Sequence, residues 1–530
     1  MKKNRILSLL LSGLMLFGFG ACSKEVEPQK DLTESEIAAL GDKVPDYSNS
    51  GKKFDFVGYG MGDGYWIENG VEMYCGRDMY TVEDFTIYKE AGFTYMHPQG
   101  AAGIQAVGTF VFEASPLKRV MDTAMEAGIG RVIVPDYRIY ELISLISMGV
   151  TAAEQNAFAT YDDYREIFTD DGQLDQTAVE NRLKEYMGEY TQHPAFYGVV
   201  LRDEPAGDNF VGYGEVYRTI KRLYPDAFML CNVLPPAGFT QERLGPFTVT
   251  QEEIDEFKGL AFAERLAMWK KYITMYLDIT QCEYLMYDQY PIDEDEIHEL
   301  YLRGLQIAAE LCKEKGVQLY FVAQTTAIAT TRVVNAEDAA WLNNMLLGLG
   351  VKSIAYWTYY VCDETSAGKT FYEWGSFVTH FGERTPLYYI MQDIMAKNQK
   401  MAPTMLCFDY QTSAVYFSEI VQYGAGYLNN SVKSTTFAKV SDIHIDKESA
   451  LISELYDKTG NRYMYMIQNV VNPDFTGSGS WQTTTITFNE TYQYALVLCD
   501  GEQKVVQLAN NQYTVTQHPG KAVFVIPFNA

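Results

Sequence analysis

The sequence predicts an α/β protein of two domains, a (β/α)8 TIM barrel followed by an antiparallel β-sandwich. Short β-prone runs alternate with longer stretches of helical periodicity over the first 400 residues. Gly92, Gly128, Gly316 and Gly350 each stand just before a strand-like run, as glycines that end helices do in short αβ loops. From about Phe408 the helical pattern nearly disappears and short strands follow one another, which favours antiparallel sheet.

Eight strand-like runs support the barrel, because that fold repeats a β-then-α unit eight times. A doubly wound parallel sheet is the alternative arrangement of the same units. Helical periodicity between the runs is clearest over 294–315 and 336–349. The runs are residues 54–58, 93–97, 131–135, 196–201, 228–232, 284–287, 318–323 and 353–357.

The domain boundaries follow from these patterns. A chain of 530 residues is too long for one hydrophobic core. We expect the barrel to span residues 54–400 and the β-sandwich to span 405–530, with a joint at Met401–Thr404. The predicted strands of the second domain are residues 414–417, 463–467, 483–488, 495–498 and 522–526, with a hairpin loop over 474–480.

The first residues are typical of a secretory signal. A basic start, an apolar run over 6–19 and small residues before Cys22 predict a lipoprotein signal peptide over 1–22, with Cys22 lipidated. An ordinary cleaved signal is the alternative. The polar residues 23–53 are predicted to form a flexible tether. We therefore expect a protein held by lipid on the bacterial cell envelope, facing the periplasm or the exterior.

The composition excludes several classes of function. A net charge of -27 argues against nucleic acid as a partner, because phosphates would be repelled. The eight cysteines include no CxxC pair, and His97 and His193 are isolated, so no metal site is predicted. No nucleotide-binding fingerprint is present, and we expect no cofactor.

One strand-like run ends in charge. Residues 196–201 are apolar, and Arg202, Asp203 and Glu204 follow directly before Pro205. Charges at the end of a buried strand are costly without a partner. Active sites of barrel enzymes lie at this end of the strands. Adjacent acids would also push their pKa values apart, which helps to keep one of them protonated near neutrality.

Other polar and aromatic residues also follow the predicted strands. Carboxylates and amides bond hydroxyl groups, and Trp and Tyr cover the faces of sugars, so this set predicts a neutral carbohydrate ligand. Glycoside hydrolysis needs one protonated and one ionised carboxyl group. The expected substrate-binding residues are His97, Asp136, Arg202, Asn232, Tyr290, Gln324, Trp357, Tyr359 and Glu364.

Four motifs carry a resemblance to a known group of enzymes. They are the Phe-Tyr-Gly…Asp-Glu-Pro pattern ending at Pro205 and the segments 287–291, 321–324 and 355–359. Together they resemble clan A barrel glycosidases, the β-galactosidase-like retaining enzymes, as found in DEP-motif lipoproteins of gut bacteria. The resemblance covers most of residues 54–400 and implies that Glu204 is the general acid/base.

The chain departs from that clan at two positions. The clan has Asn before the acid/base and a nucleophilic Glu at the end of strand seven, whereas this chain has Asp203 and Gln324. An amide cannot form the usual glycosyl-enzyme ester. Asp288 is the first candidate for the second carboxylate, and Glu364 and Asp136 follow it.

Two alternatives remain beside the glycosidase prediction. Some N-acetylhexosaminidases place adjacent acids at the end of strand four, so that the substrate's own acetamido group attacks. Asp203 and Glu204 would take those roles here, with Tyr287 or Tyr290 as a further donor. A surface glycan-binding lipoprotein on a degenerate barrel is the second alternative, favoured by Gln324.

Overall fold

The computed structural model describes most of the chain from Gln29 onwards. The described residues are 29–60, 65–68, 71–74, 78–98, 102–105, 109–154, 166–237, 259–293, 296–328, 331–360, 372–373, 376–379, 381–421, 426–472 and 481–530.

The described strands are numbered in chain order. They are β1 (Lys30–Asp31), β2 (Asp55–Gly58), β3 (Tyr65–Glu68), β4 (Val71–Tyr74), β5 (Val132–Pro135), β6 (Phe196–Asp203), β7 (Phe228–Asn232), β8 (Tyr284–Gln289), β9 (Gln318–Gln324), β10 (Ala327–Ile328), β11 (Val351–Trp357), β12 (Tyr372–Glu373), β13 (Asp409–Phe417), β14 (Val440–Ile445), β15 (Ser449–Asp457), β16 (Arg462–Asn469), β17 (Gln482–Phe488), β18 (Tyr494–Cys499), β19 (Glu502–Gln507), β20 (Gln512–Gln517) and β21 (Ala522–Phe528).

The described α-helices are numbered in the same way. They are α1 (Glu34–Leu40), α2 (Val82–Ala91), α3 (Pro116–Ala127), α4 (Tyr137–Glu154), α5 (Gln176–Met187), α6 (Phe210–Leu223), α7 (Phe262–Thr280), α8 (Tyr301–Lys315), α9 (Ala336–Gly348) and α10 (Pro386–Met405). None of the described helices is long and apolar enough to cross a membrane.

Local sequence signals explain where these elements begin and end. Ser115 caps the start of helix α3, because its side chain accepts a hydrogen bond from the Lys118 N–H, and Pro116 fills the first helical position. It ends at Gly128 in the left-handed region (φ 76°). Strand β5 is buried along its whole length, as a continuous apolar strand in a parallel sheet must be.

The N-terminal domain contains two parallel sheets. One has the strand order β2-β11-β9-β8 and the other β5-β6-β7. Backbone hydrogen bonds join the two sheets at both edges: Val233 N donates to Met286 O (2.8 Å), Thr94 N to Phe56 O (2.9 Å) and Ile133 N to Met96 O (2.9 Å). The pairing of neighbouring segments therefore runs in an unbroken cycle.

A small core lies inside this cycle, and each of the eight segments contributes an apolar side chain to it. The contributors are Val57, Tyr95, Ile133, Val200, Leu230, Met286, Val322 and Ala355. A larger core lies between the strands and the surrounding helices.

Two sequence predictions differ from the structure in this domain. Residues 93–97 form only an isolated pairing at Met96, because the Thr94 side chain itself accepts from the Phe56 N–H (2.9 Å) and replaces a ladder partner. The helix predicted from residue 294 begins at Tyr301, since Ile292 and Ile297 first pair as an antiparallel bridge.

The C-terminal domain consists of two antiparallel sheets, in agreement with the all-β prediction for this part of the chain. Their strand orders are β1-β19-β18-β21-β16-β15-β13 and β14-β17-β20. Side chains of both sheets share one core, for example Ile452 and Val525 of the first and Ile486 and Tyr513 of the second. The predicted joint at Met401–Thr404 lies inside α10, where Met401 and Ala402 are buried.

The described part of the predicted tether is structured. Lys30 and Asp31 pair with β19, and Thr33 and Glu36 form a capping box at the start of α1. The Tyr47 ring also packs against Phe408, with 5.4 Å between ring centroids. Residues 29–53 thus differ from a flexible tether, because their backbone and side chains find partners on the C-terminal part of the chain.

Candidate active site

Three carboxyl-bearing residues lie at the carboxyl ends of two parallel strands that flank a third. Asp203 ends β6, Glu204 follows it, and Asp288 lies near the end of β8. Between them β7 ends at Asn232, which stands opposite Asp203 in the pairing of β6 with β7. The carboxyl ends of parallel strands meet at one edge, so the structure brings together acids that are up to 85 residues apart along the chain.

Asp288 is the most perturbed of these acids. Its side chain is buried, and burial together with the nearby charge of Asp203 raises its pKa from 3.8 to about 7. Hydrogen bonds from Asn232 (Nδ2 to Oδ1, 3.1 Å) and Tyr290 act in the opposite direction, because they favour the ionised form. Asp288 therefore changes charge near neutral pH.

Glu204 has an unusual backbone. Its φ of 42° lies in the left-handed region, which non-glycine residues adopt at a cost of about 1–3 kcal/mol. Its N–H donates to the Asn232 carbonyl oxygen (2.9 Å), which holds the turn that follows β6. Such strain is concentrated at functional sites. The turn aims the Glu204 side chain differently from a regular strand continuation.

Aromatic side chains surround the acids. Tyr59 follows β2; burial raises its pKa first, and the charges of Asp203 and Asp288 add to this. The pKa of Tyr290 is likewise raised by burial and then by Asp288, Glu204 and Asp203. The ring of Trp357 lies 5.7 Å from that of Tyr59. Tyr290 and Trp357 were predicted from the sequence, and both lie at the acidic cluster or beside it.

His97 also belongs to this group. Its ring centroid is 4.8 Å from that of Tyr59, and burial lowers its pKa to about 4. The imidazole is therefore neutral at physiological pH. Its Nδ1 atom is buried and makes no hydrogen bond within the described part of the protein, and the same is true of the Tyr59 hydroxyl. Both atoms are suited to bonding a polar ligand.

Three further tyrosines that were not predicted from the sequence lie near the acids. Tyr59, Tyr137 and Tyr140 all have pKa values raised by burial first and then by the charge of Asp203. A signal was present for two of them, because Tyr59 directly follows β2 and Tyr137 follows the predicted site residue Asp136. Tyr140 lies one turn into α4 and carries no strand-end signal.

Asp136 is a correction to the predicted site. It is fully buried, and both its oxygens accept from the Arg138 guanidinium (2.8 and 2.7 Å). The Tyr190 hydroxyl donates a further bond of 3.0 Å. Asp136 therefore anchors the start of α4 and is neither a substrate ligand nor a candidate second carboxylate.

Gln324 is a second correction. It is buried, and its amide nitrogen donates to the carbonyl oxygens of Ile292 (3.2 Å) and Arg332 (3.3 Å). Its amide oxygen accepts from the Ile292 N–H (2.8 Å). Both N–H donors and the oxygen of its buried amide hold two segments of backbone, so Gln324 has a structural role in place of the predicted substrate contact.

Tyr359 and Arg202 also differ from their predicted roles. Tyr359 is fully buried among Tyr88, Phe93 and Phe377, in the core between strands and helices. The Arg202 guanidinium donates to the Ser144 hydroxyl (2.8 Å) and to the Tyr140 carbonyl oxygen (3.3 Å), both on α4. Arg202 thus attaches β6 to α4.

Two predicted residues lie outside the described residues. They are Glu364, a substrate-binding and second-carboxylate candidate, and Cys22, the lipidation candidate. Within the described ranges, no group of three His, Cys, Asp or Glu side chains is placed to hold a metal ion.

Comparison with known proteins gives only distant similarities. No protein family matches the sequence, and no curated protein matches it. Among solved structures, an Anoxybacillus α-amylase is 10% identical over 92% of this chain and 99% of its own, with a TM-score of 0.46. A glycoside hydrolase family 30 xylanase from Clostridium acetobutylicum is 11% identical over 90% and 97% of the two chains, with a TM-score of 0.36.

A third similar structure is an α-amylase from Geobacillus thermoleovorans solved with acarbose. It is 12% identical over 90% of this chain and 98% of its own, with a TM-score of 0.43. At these identities and TM-scores the similarities do not assign a function.

The arrangement is suited to acid–base chemistry on a polar, uncharged ligand. It combines carboxyl groups in unequal environments: Asp288 is buried, Glu204 is half-buried and Asp203 is exposed. Tyr59 and Tyr290 lie close to these acids, and the neutral His97 imidazole and the Trp357 indole pack against Tyr59. Asn232 was predicted to bind substrate; it instead donates to Asp288.

Proposed function

We propose that this protein is a glycoside hydrolase that cleaves O-glycosidic bonds of an oligo- or polysaccharide. The observation that carries the proposal is the cluster of Asp203, Glu204 and Asp288 at the carboxyl ends of β6 and β8, close to Tyr59 and Tyr290. Glycoside hydrolysis needs two carboxyl groups held in different protonation states. The unequal burial of these acids separates their protonation states, and the raised pKa of Asp288, about 7, restricts its ionised form to neutral pH and above.

We also propose that the N-terminal domain is a (β/α)8 barrel. The unbroken cycle of backbone pairing supports this, as does the inner core that receives one side chain from each of eight segments. In that fold the carboxyl ends of the strands form the active-site face. The acidic cluster lies at that end.

In the proposed reaction Glu204 protonates the glycosidic oxygen as the bond from that oxygen to the anomeric carbon breaks. Asp288 acts in its ionised form. It either attacks the anomeric carbon, giving a covalent intermediate that water then hydrolyses, or takes a proton from the water that attacks that carbon. Asn232 and Tyr290 favour this form by donating hydrogen bonds to Asp288.

The proposed substrate is uncharged at the cleaved sugar. A uronic acid carboxylate would meet the negative charges of Asp203 and of Asp288 in its ionised form. Of the described arginines near these strand ends, Arg138 is paired with Asp136, and Arg202 is bonded to α4. Neither is placed to offset a substrate's negative charge.

A test compares Glu204→Gln with the wild type on a panel of aryl glycosides and oligosaccharides. We expect kcat to fall by about 10²–10⁴ while substrate affinity changes little, because the amide keeps the shape but loses the proton. Glu215→Gln is the matched control, since Glu215 lies on α6 and pairs with Arg218. The anomeric form of the first product then distinguishes attack by Asp288 from attack by water.

Two results would count against the proposal. If Glu204→Gln keeps its turnover, Glu204 is not the acid/base. If the wild type binds glycans but cleaves none of the panel, the protein is a glycan-binding lipoprotein, since a binder needs no proton donor.

A substrate-assisted N-acetylhexosaminidase is the second candidate. The observation in its favour is that the charge of Asp203 acts on Tyr59, Tyr140 and Asp288, so its carboxylate faces the same cluster as Glu204. This mechanism predicts cleavage of N-acetylated hexosaminides alone and a large loss of kcat in Asp203→Asn. Cleavage of sugars without an acetamido group would exclude it.

We propose finally that Cys22 carries lipid and holds the enzyme on the cell envelope. The basic start, the apolar run and the small residues before Cys22 support this.

A further inference from the structure

Asn232 lies between the two strands that carry the acids. It ends β7, stands opposite Asp203 in the pairing with β6, and is followed by Val233, which pairs with Tyr287 of β8. Its side chain is buried, with 9% of the residue surface exposed. A short side chain at this position reaches only its immediate neighbours.

Two hydrogen-bonding groups of Asn232 are directed at residues of the acidic cluster. The main-chain carbonyl oxygen accepts from the Glu204 N–H at 2.9 Å. The side-chain Nδ2 donates to Asp288 Oδ1 at 3.1 Å. One residue therefore contacts the segment that bears Glu204 through its backbone and Asp288 through its side chain.

We propose that Asn232 is a positioning residue that fixes Glu204 and Asp288 relative to each other and favours the ionised, oriented form of Asp288. It needs no contact with the substrate for this role, which replaces the substrate-binding role predicted from the sequence. The catalytic consequence rests on the proposed glycosidase function, whereas the effect on Asp288 does not.

The groups around Asp288 determine whether loss of the Asn232 amide raises or lowers the pKa of Asp288. Asp203 faces it from β6, Tyr59 from the segment after β2, and Tyr290 from the residues after β8. Of these only Asp203 is negatively charged, and its charge disfavours ionisation of Asp288. The bonds donated by Asn232 and Tyr290 oppose Asp203, so loss of the Asn232 amide shifts Asp288 towards its protonated form.

The experiment titrates Asp288 directly. Protein labelled with ¹³C at the aspartate carboxyl carbons is followed by NMR from pH 4 to pH 9, and the Asp288 signal is assigned by its absence in Asp288→Asn. We expect the pKa of Asp288 to rise by about 1 in Asn232→Ala, because a hydrogen bond to the ionised form is lost. The Glu204 N–H bond is retained, since it uses the backbone.

Asn343→Ala is the matched control. Asn343 is a buried asparagine of α9 that bonds the Tyr356 hydroxyl and the Ala339 carbonyl oxygen, away from the acids. The Asn343→Ala variant loses a comparable buried amide and should leave the Asp288 titration unchanged. Asn232→Ser, with a side chain too short to reach Asp288, repeats the test if Asn232→Ala does not fold.

Kinetics supply a second measurement. In the glycosidase, Asn232→Ala should lower kcat about tenfold or more, leave KM nearly unchanged, and move the acidic limb of the pH–rate profile upward with the Asp288 titration. An unchanged Asp288 pKa in a folded variant would overturn the proposal for Asn232. A shifted pKa in a protein that cleaves no glycoside would leave that proposal standing and contradict the glycosidase function instead.

Discussion

At the scale of single residues, the buried acid Asp288 links the site to stability. Its pKa is about 7 in the folded protein, against 3.8 for the unperturbed group. Below pH 4 it is protonated in both states and contributes nothing. Between pH 4 and 7 only the folded state keeps the proton, so stability falls as pH rises, and the full cost of about 4 kcal/mol is present above pH 7.

Asp288→Asn should therefore stabilise the protein in a pH-dependent way. We expect it to be more stable than the wild type by up to about 4 kcal/mol at pH 8, with the difference closing by pH 4. Urea unfolding at pH 4, 6 and 8 measures this. Asp122→Asn is the control, and its effect on stability should have the opposite sign. Lys118 and His193 lower the pKa of Asp122, so loss of this carboxylate should destabilise the protein at neutral pH. Equal stability of Asp288→Asn and the wild type at pH 8 would contradict the raised pKa.

The residue scale also shows what the sequence reveals and what it does not. Glu204 was found because an apolar run ends in charge, a signal that is local to the chain. Asp136 also follows an apolar run, yet its carboxylate is paired with the guanidinium of Arg138, two residues later in the chain. Tyr140 gave none, since it approaches Asp203 only once α4 has packed on the strands. A strand-end position is thus predictable, whereas the direction of the side chain depends on tertiary partners.

At the scale of elements, Gln324 joins the segments that follow β8 and β9. Its amide group bonds the Ile292 backbone on one side and the Arg332 carbonyl oxygen on the other. Ile292 comes two residues after Tyr290, which bonds Asp288. The position that carries a nucleophile in the resembled enzymes is here used to hold the loop beside the acidic cluster.

Gln324→Glu should therefore not restore a missing nucleophile. A carboxylate cannot donate to the two carbonyl oxygens and would be buried against them, so we expect a loss of about 2–4 kcal/mol in stability and lower activity. Urea unfolding and kcat/KM measure the two effects. Gln392→Glu is the control, because Gln392 makes one exposed bond to the Glu90 carbonyl oxygen. A stable Gln324→Glu with raised activity would show that the site lacks only the usual carboxylate.

At the scale of the whole molecule, the two domains share a hydrophobic core. Met464 and Phe524 of the C-terminal sheet belong to the same cluster as Trp341 and Leu346 of α9. Gln306 of α8 also bonds the Ser413 hydroxyl (3.1 Å) and the Val432 N–H (3.0 Å). The second domain therefore supports the helices behind the strands that carry the acidic cluster of Asp203, Glu204 and Asp288.

The order of residues 29–53 bears on how the molecule would sit on a membrane. Lys30 is paired with β19 of the C-terminal domain, and Cys22 precedes it by eight residues. Eight residues span at most about 28 Å. A lipid on Cys22 would thus hold the C-terminal domain within that distance of the membrane surface.

The net charge makes it possible to distinguish a lipid anchor on Cys22 from electrostatic adsorption to membranes. A chain of charge -27 is repelled by anionic lipid headgroups, so electrostatic adsorption does not retain it. We expect the full-length protein made in a bacterial host to stay with membranes through a high-salt wash and to be released by detergent, because acyl chains bind by burial of hydrocarbon. Cys22→Ser should move it to the soluble fraction, whereas Cys407→Ser, which alters a cysteine of the folded domain, should not. Membrane retention of Cys22→Ser would exclude lipid on this residue as the anchor.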